Sequence, residues 1–188
     1  MVTRSQSMGA RVNADPKSAR QHVAHGTAAY AEVIEWFYRE AELLDKGEFA
    51  TWLALMASDI SYQIPTRSSV LPRDGSGFQP EFGLWCDNHA ALSARVARLQ
   101  TDQAWAEQPR SRTRHFVSNV LVDRDSEGAY HVTSSLLVTR IRSNRPVDLI
   151  SGERRDVLRK EDGVLKLASR EILLDHTVLE SHNLSTFL

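Results

Sequence analysis

The amino-acid sequence predicts an α+β fold, in which helices from the first half of the chain pack on a curved antiparallel sheet from the second half. One observation is the helical spacing of apolar residues before residue 100. Another is the change to alternating apolar residues after Gln108, over four strand-like runs. Short turn sequences separate these runs, which predicts an antiparallel meander. The runs cover residues 112–122, 130–142, 147–159 and 164–174.

Three helices are predicted in the first half of the chain. The first spans residues 28–46, and Gly47 provides its C-terminal stop. A second, shorter helix spans residues 48–56. A third follows Asp87 or Asn88, either of which can cap it. The residues predicted to face the core are Ile34, Phe37, Ala41 and Leu44, then Phe49, Trp52, Leu53 and Met56, then Leu92, Val96 and Leu99.

A strand and a long loop lie between the second and third helices. Residues 59–65 alternate as a strand does, and the Ser-, Gly- and Pro-rich residues 67–81 are predicted as a loop. Asp162 and Gly163 predict a tight hairpin between the last two runs. Gly152, inside the third run, predicts a bulge or a bend. The alternating apolar residues of the early strand are Ile60, Tyr62 and Ile64.

The chain is predicted to hold a single domain, residues 27–188, after a mobile N-terminal tail of residues 1–26. The tail is rich in Ser, Arg, Ala and Asn and shows neither a helical nor a strand period. A domain of about 150 residues buries roughly 68–70% of the surface of its unfolded chain, so it needs no disulfide or metal to fold.

Composition excludes several classes of function. The chain has 23 Lys and Arg against 24 Asp and Glu, whereas nucleic-acid-binding domains usually have a basic excess, so no nucleic-acid partner is expected. No segment reaches the roughly 18 consecutive apolar residues that cross a membrane. The single cysteine, Cys86, cannot form an internal disulfide, and this usage favours a cytoplasmic location.

The segment PRSRTRHFVSN, residues 109–119, holds the main candidate residues. On a strand, Arg112 and Arg114 point away from His115 and Asn119. Two interpretations of the histidine remain open: an acid–base residue in a sheet-lined pocket beside Asn119, or a hydrogen-bonded core histidine. The arginines, with Arg110, suit carboxylate pairs within the chain or across a subunit contact.

Other candidates lie outside this segment. The residues predicted to lie in the interior of the fold are His115, Asn119, Asp59 and Tyr62, and there Asp59 and Tyr62 could join His115. Trp105 is a candidate interface anchor. Near the C-terminus stand Asp175, His176, Glu180 and His182, which fit either an iron-binding triad or exposed polar residues. The second interpretation is favoured, so no catalytic residue and no metal ligand is assigned to this chain.

Several segments together resemble one known family. They are FYREAELLDKGEFATWLALMASDISYQIPTR, SRTRHFVSNVLV, VDLISGERRDVLR and the closing NLSTFL. Their combination is similar to the small β subunit of bacterial aromatic-ring-hydroxylating dioxygenases, the Rieske non-haem iron oxygenases. The resemblance covers residues 29–188 except the loop around residues 72–82.

The resemblance implies a cone-shaped fold like that of nuclear transport factor 2 and scytalone dehydratase. It implies a complex of three α and three β chains, in which the α chain carries a Rieske [2Fe–2S] cluster and a mononuclear Fe(II). NADH would supply electrons through a reductase and often a ferredoxin, and the products would be cis-dihydrodiols. The β chain would hold no cofactor and be mainly structural.

Two other functions remain open. One is a stand-alone cone-fold isomerase or dehydratase with His115 and Asp59 as its acid–base pair. The other is a non-enzymatic cone-fold scaffold module.

Overall fold

The computed structural model describes residues 20–68, 77–99, 110–142, 146–177 and 186–188. The helices and strands, in chain order, are β1 (Gln21–His22), α1 (Ala28–Lys46), α2 (Phe49–Leu53), β2 (Met56–Arg67), β3 (Phe78–Asp87), α3 (His89–Leu99), β4 (Arg112–Arg124), β5 (Tyr130–Ile141), β6 (Asp148–Glu161) and β7 (Val164–Leu174). None of the helices in these ranges has the length and apolar character needed to cross a membrane.

In the described part of the chain, seven strands form one sheet, in the order β1-β4-β5-β6-β7-β2-β3. Strands β4 to β7 form the predicted antiparallel meander. Asp162 and Gly163, both with positive φ, form the predicted hairpin turn between β6 and β7. Strand β2 joins β7 in parallel, with Tyr62 opposite Arg170. The predicted α+β fold is confirmed, and the sheet contains one parallel pair.

Helix α1 has the predicted bounds, and its ends have clear causes. The Thr27 hydroxyl accepts a hydrogen bond from the Tyr30 main-chain N–H at 3.2 Å, which caps the first turn. Gly47 ends the helix in the left-handed conformation, with φ of 70°. The buried residues of this helix are Val33, Trp36, Phe37, Glu40, Leu43 and Leu44. Ile34 and Ala41, which were predicted to face the core, are only half-buried. The preceding residues, Val33 and Glu40, are buried instead.

Three predicted boundaries are wrong. Helix α2 ends at Leu53, because Met56 already belongs to β2. Residues 78–81 are not loop but the start of β3, which gains its hydrogen bonds from β2; residues 69–76 lie outside the described part of the chain. The domain starts before residue 27, because β1 pairs with β4 and Val23 is buried in the core. Residues 1–19 of the predicted tail are not described.

Gly152 does not mark a bulge. It pairs in regular register with Leu136 on β5 and Leu174 on β7. A Cβ atom at this position would lie 2.5 Å from the main-chain oxygen of Leu173. Glycine is therefore needed because the neighbouring backbone approaches closely.

The hydrophobic core lies between the helices and one face of the sheet, here called the inner face. Each large apolar side chain that is fully buried there stabilises the fold by roughly 1.5–3 kcal/mol. The most deeply buried members are Val33, Phe37, Trp52, Ile64, Leu92, Val138, Leu158, Leu167 and Ile172. Side chains on the opposite, outer face of the sheet are more exposed.

Candidate functional site

A bulge in β4 decides where the predicted residues of this strand point. Ser118 lies opposite Ser135, but the next pair is Leu121 with Thr133, so β4 holds one extra residue. Asn119 takes up the irregularity with φ of 52°. The predicted interior position of Asn119 is wrong: its side chain is exposed and its amide donates to the Ser135 hydroxyl at 3.2 Å.

His115 precedes the bulge and points to the inner face, with a side chain only 1% exposed. Its Nδ1 lies 2.6 Å from Asp45 Oδ1, and its Nε2 lies 3.0 Å from the main-chain oxygen of Phe187. A neutral imidazole has a single N–H, whereas both of these partners accept hydrogen bonds.

Asp59 is not the partner of His115, and its predicted interior position is wrong. The same alternation that buries Ile60 and Tyr62 turns Asp59 outward. Its carboxylate accepts two hydrogen bonds from Arg159, at 2.9 and 2.5 Å. These hydrogen bonds hold the pKa of Asp59 below its usual value. His115 and Asp59 therefore do not form the acid–base pair that the hypothesis of a stand-alone enzyme requires.

The three arginines of the segment have different surroundings. Arg110 donates to the main-chain oxygens of Leu44 and Lys46 at the end of α1, at 3.1 and 2.5 Å, instead of to a carboxylate. Arg114 is 73% exposed and lies 3.7 Å from Asp45. Arg112 is exposed, and no ion pair links it to another residue in the described ranges. Trp105 lies outside those ranges.

The last two residues of the chain close the interior, and we call Phe187 and Leu188 the C-terminal plug. Tyr62 is fully buried; its hydroxyl donates to the main-chain oxygen of Leu188 at 2.6 Å and accepts from the Leu188 N–H at 3.0 Å. Burial raises the pKa of Tyr62. The Phe187 ring stacks on Trp52 with 4.3 Å between ring centroids. Together with His115, these contacts fix both residues of the plug.

Beside the plug lies a buried charge cluster of Glu40, Arg154, Asp156 and Arg170. Arg170 donates two hydrogen bonds to Glu40, at 2.7 and 2.8 Å, and two to Asp156, at 2.8 and 3.0 Å. It also donates to the main-chain oxygen of Leu188 at 3.1 Å. The cluster therefore ties α1, β6, β7 and the plug together.

Electrostatics within the cluster favour the charged forms. Burial alone would raise the pKa of Glu40, but the nearby Arg170 and Arg154 guanidinium groups hold it below its usual value. Arg170 keeps a raised pKa despite its burial, because Asp156 and Glu40 surround it. The pKa of Arg154 is lowered by burial and by Arg170. Its nearest carboxylate oxygen is 3.4 Å away, on Glu40.

This cluster is absent from the predictions made from the sequence, although the strand pattern contains a signal for it. Arg154 and Asp156 share their strand parity with Leu158, and Arg170 shares its parity with Ile172. The alternation that marks core positions therefore marked these charges as buried as well. Glu40 follows Phe37 by three residues on the buried stripe of α1.

Metal ligands do not converge among the side chains of the described ranges, where no three His, Cys, Asp or Glu residues are placed to hold an ion. Asp175 accepts a hydrogen bond from the Ser151 hydroxyl at 2.8 Å. His176 is half-buried, and Glu180 and His182 lie outside the described ranges.

Comparison with known proteins identifies the family. The model of the family described as "Ring hydroxylating beta subunit" matches residues 39–181. The chain belongs to this family. It is 39% identical to the biphenyl 2,3-dioxygenase subunit beta of Rhodococcus jostii strain RHA1, over 83% of this chain and 87% of the relative. It is 38% identical to a benzene 1,2-dioxygenase subunit beta of Pseudomonas putida, with the same coverage. The family resemblance read from the sequence is confirmed.

Solved structures show the same fold. A structure of naphthalene 1,2-dioxygenase with indole bound in the active site matches with a TM-score of 0.78 and 27% identity, over 88% of both chains. A putative scytalone dehydratase from Novosphingobium aromaticivorans matches with a TM-score of 0.61 and 20% identity, over 82% of this chain and 89% of that one. The second likeness shows a shared fold only.

Proposed function

We propose that this chain is the mainly structural β subunit of an aromatic-ring-hydroxylating dioxygenase whose chemistry takes place in a partner α subunit. The observation that carries the structural role is the closure of the interior at His115. Asp45 and the Phe187 main-chain oxygen lie within hydrogen-bond distance of the two ring nitrogens, and the side chain is only 1% exposed. A histidine held in this way keeps two elements together and has no free nitrogen for a substrate.

The cofactors of such a system do not fit this chain. A Rieske cluster needs two cysteine and two histidine ligands, and the sequence has one cysteine, Cys86. In the proposal, the Rieske [2Fe–2S] cluster and the mononuclear Fe(II) belong to the α subunit of an α3β3 complex. A reductase and a ferredoxin bring electrons from NADH to this complex in the cytoplasm, and aromatic compounds leave it as cis-dihydrodiols.

The stand-alone enzyme and the unrelated scaffold have less support than the β-subunit role. A stand-alone isomerase or dehydratase needs a histidine that a substrate can reach, and the side chain of His115 is only 1% exposed. A scaffold unrelated to oxygenases gains no support from relatives named as dioxygenase β subunits.

The proposal is tested by comparing the isolated chain with the chain coexpressed with the α subunit of the same system. Iron, acid-labile sulfide, complex mass and oxygen uptake with aromatic compounds are measured on both. We expect iron, sulfide and oxygen uptake only in the complex, whose mass fits three copies of each chain. Turnover of any substrate by the isolated, metal-free chain would contradict the proposal.

A further inference from the structure

Two buried polar side chains on neighbouring strands lack hydrogen-bond partners in the described part of the chain. The atoms concerned are Nε and Nη2 of Arg154 and the hydroxyl oxygen of Ser134. Both side chains are only 1% exposed, so bulk solvent does not supply the missing partners. Buried polar groups of folded proteins are almost always paired, and a bound small molecule is the usual partner where the protein offers none.

The unpaired atoms lie close together. Arg154 on β6 lies directly opposite Ser134 on β5, and both side chains point to the inner face. Directly opposite residues of an antiparallel pair have Cβ atoms roughly 4.5–5.5 Å apart. The Nε–H and Nη2–H bonds of an arginine leave the same edge of the guanidinium plane in parallel, so one acceptor receives both. A single small molecule can therefore contact all three atoms.

The carboxylates of the buried charge cluster do not take this place. Arg170 already binds Glu40 and Asp156 through four hydrogen bonds. The Nη1 atom of Arg154, on the other side of its guanidinium group, lies 3.4 Å from Glu40. Its Nε lies 3.7 Å from Asp156 Oδ2. Hydrogen bonds from N–H to oxygen are about 2.7–3.2 Å long, so Asp156 is too far away to pair the free edge of Arg154.

The charges of the cluster favour a neutral molecule over an anion. The guanidinium groups of Arg154 and Arg170 balance the carboxylates of Glu40 and Asp156. Because these guanidinium groups hold the pKa of Glu40 below its usual value, Glu40 stays charged. A chloride ion would add a net negative charge to the interior, which is costly to bury, whereas a water molecule adds none.

We propose that a water molecule is bound between Arg154 and Ser134 as a structural part of the fold. The water accepts hydrogen bonds from Nε and Nη2 of Arg154 and donates one to the Ser134 hydroxyl oxygen. Three hydrogen bonds are typical of a buried water. The ion pairs of the charge cluster join residues of α1, β6 and β7, and the water extends this network to β5. This role belongs to the chain itself and does not depend on an α subunit.

The direct test is a crystal structure of the unaltered full chain grown with sodium bromide, with diffraction data collected at the bromine absorption edge. We expect the density of a water about 2.7–3.2 Å from Arg154 Nε, Arg154 Nη2 and Ser134 Oγ, without anomalous signal. A bromide peak at this position would overturn the proposal and assign the site to an anion. Absence of density there, with Arg154 bonded directly to Asp156 or with its edge still unpaired, would also overturn it.

The sign of a stability change supplies a second test. Ser134→Ala removes one of the three partners of the water, so the midpoint of thermal unfolding should fall by about 2–4 °C. A hydroxyl buried with no partner would give the opposite sign, because alanine would remove an unpaired polar group. An unchanged or raised midpoint in Ser134→Ala would therefore overturn the proposal.

Ser135→Ala is the matched control on the same strand. Ser135 is half-buried, and its hydroxyl accepts a hydrogen bond from the exposed Asn119 amide on the outer face. We expect a smaller fall of the midpoint than in Ser134→Ala, because water can replace this contact at the surface. An equal or larger fall in Ser135→Ala would overturn the assignment of the Ser134 effect to a buried water.

Discussion

His115 lies 3.0 Å through its Nε2 from the main-chain oxygen of Phe187, so a histidine in the interior binds the end of the chain. Its other nitrogen lies 2.6 Å from Asp45, in the last turn of α1. The histidine thus links β4, α1 and the C-terminal plug. This role accounts for a buried histidine in a chain that belongs to a family of β subunits.

Replacing His115 by Gln should loosen the plug and destabilise the domain by about 1–3 kcal/mol, because Asp45 and the Phe187 main-chain oxygen each lose their contact with the imidazole ring. Urea unfolding measures the loss. Trp52 fluorescence should report the release of Phe187, whose ring stacks on it. His131→Gln is the control, since His131 pairs with Asp125 at a hairpin remote from the plug. A His115→Gln protein with unchanged stability and Trp52 emission would contradict this role.

The ion pair between Glu40 and Arg170 should be among the largest single contributions to stability. Glu40→Gln leaves Arg170 buried with one carboxylate fewer, which should cost about 3–5 kcal/mol in urea unfolding. Glu42→Gln is the matched control on the same helix. Glu42 also forms ion pairs, but they are at the surface, so we expect little change. Equal losses in the two variants would refute a special role for the cluster.

Glu40 also predicts a dependence of stability on pH. Its pKa in the folded protein lies below the usual value, so its contribution is fully present above the unfolded-state pKa of about 4.3. The contribution is lost as pH falls through the lower, folded-state pKa. Between pH of about 6 and about 3, the free energy of unfolding should fall less steeply in Glu40→Gln than in the unaltered chain. Parallel pH profiles would show that Glu40 does not titrate in this way.

Gly152→Ala should destabilise the sheet by about 1–3 kcal/mol, because the added Cβ meets the Leu173 main-chain oxygen at 2.5 Å. The backbone of β7 has to move to relieve this contact. Gly26→Ala is the control: Gly26 has positive φ but nothing within 4 Å of an added Cβ, so only conformational strain is tested. Thermal unfolding that ranks Gly26→Ala as the more damaging change would contradict the explanation for Gly152.

The spacing of apolar residues predicted the long elements well. In α1 and in the meander, the residues that alternate or repeat in the sequence are the ones that are buried in the fold. It could not predict the bulge at Asn119, because the bulge arises from pairing with β5. The predicted interior position of Asp59 is wrong because residues alternate between the two faces of a strand. The alternation that turns Tyr62 inward turns Asp59 outward. Strand β3 was missed because its hydrogen bonds come from β2, which its Gly- and Pro-containing sequence does not reveal.

The two partners of His115 could not be predicted from the sequence, for a similar reason. Asp45 lies 70 residues away and the plug 72 residues away, so only the folded topology brings them together. The buried charges differ from this case, because Arg154, Asp156 and Arg170 stand at core positions of their strands. A strand pattern read for every inward residue, polar or apolar, would have found them.

We propose that this chain supports an oxygenase without taking part in its chemistry. The most direct test is turnover per iron in the assembled complex containing His115→Gln, with Phe187→Leu as a second variant that loosens the same plug. We predict lower thermal stability or yield of complex, with turnover per iron within about twofold of the unaltered complex. An assembled, iron-loaded His115→Gln complex whose turnover falls by about a hundredfold or more would contradict the claim and indicate an acid–base role for His115.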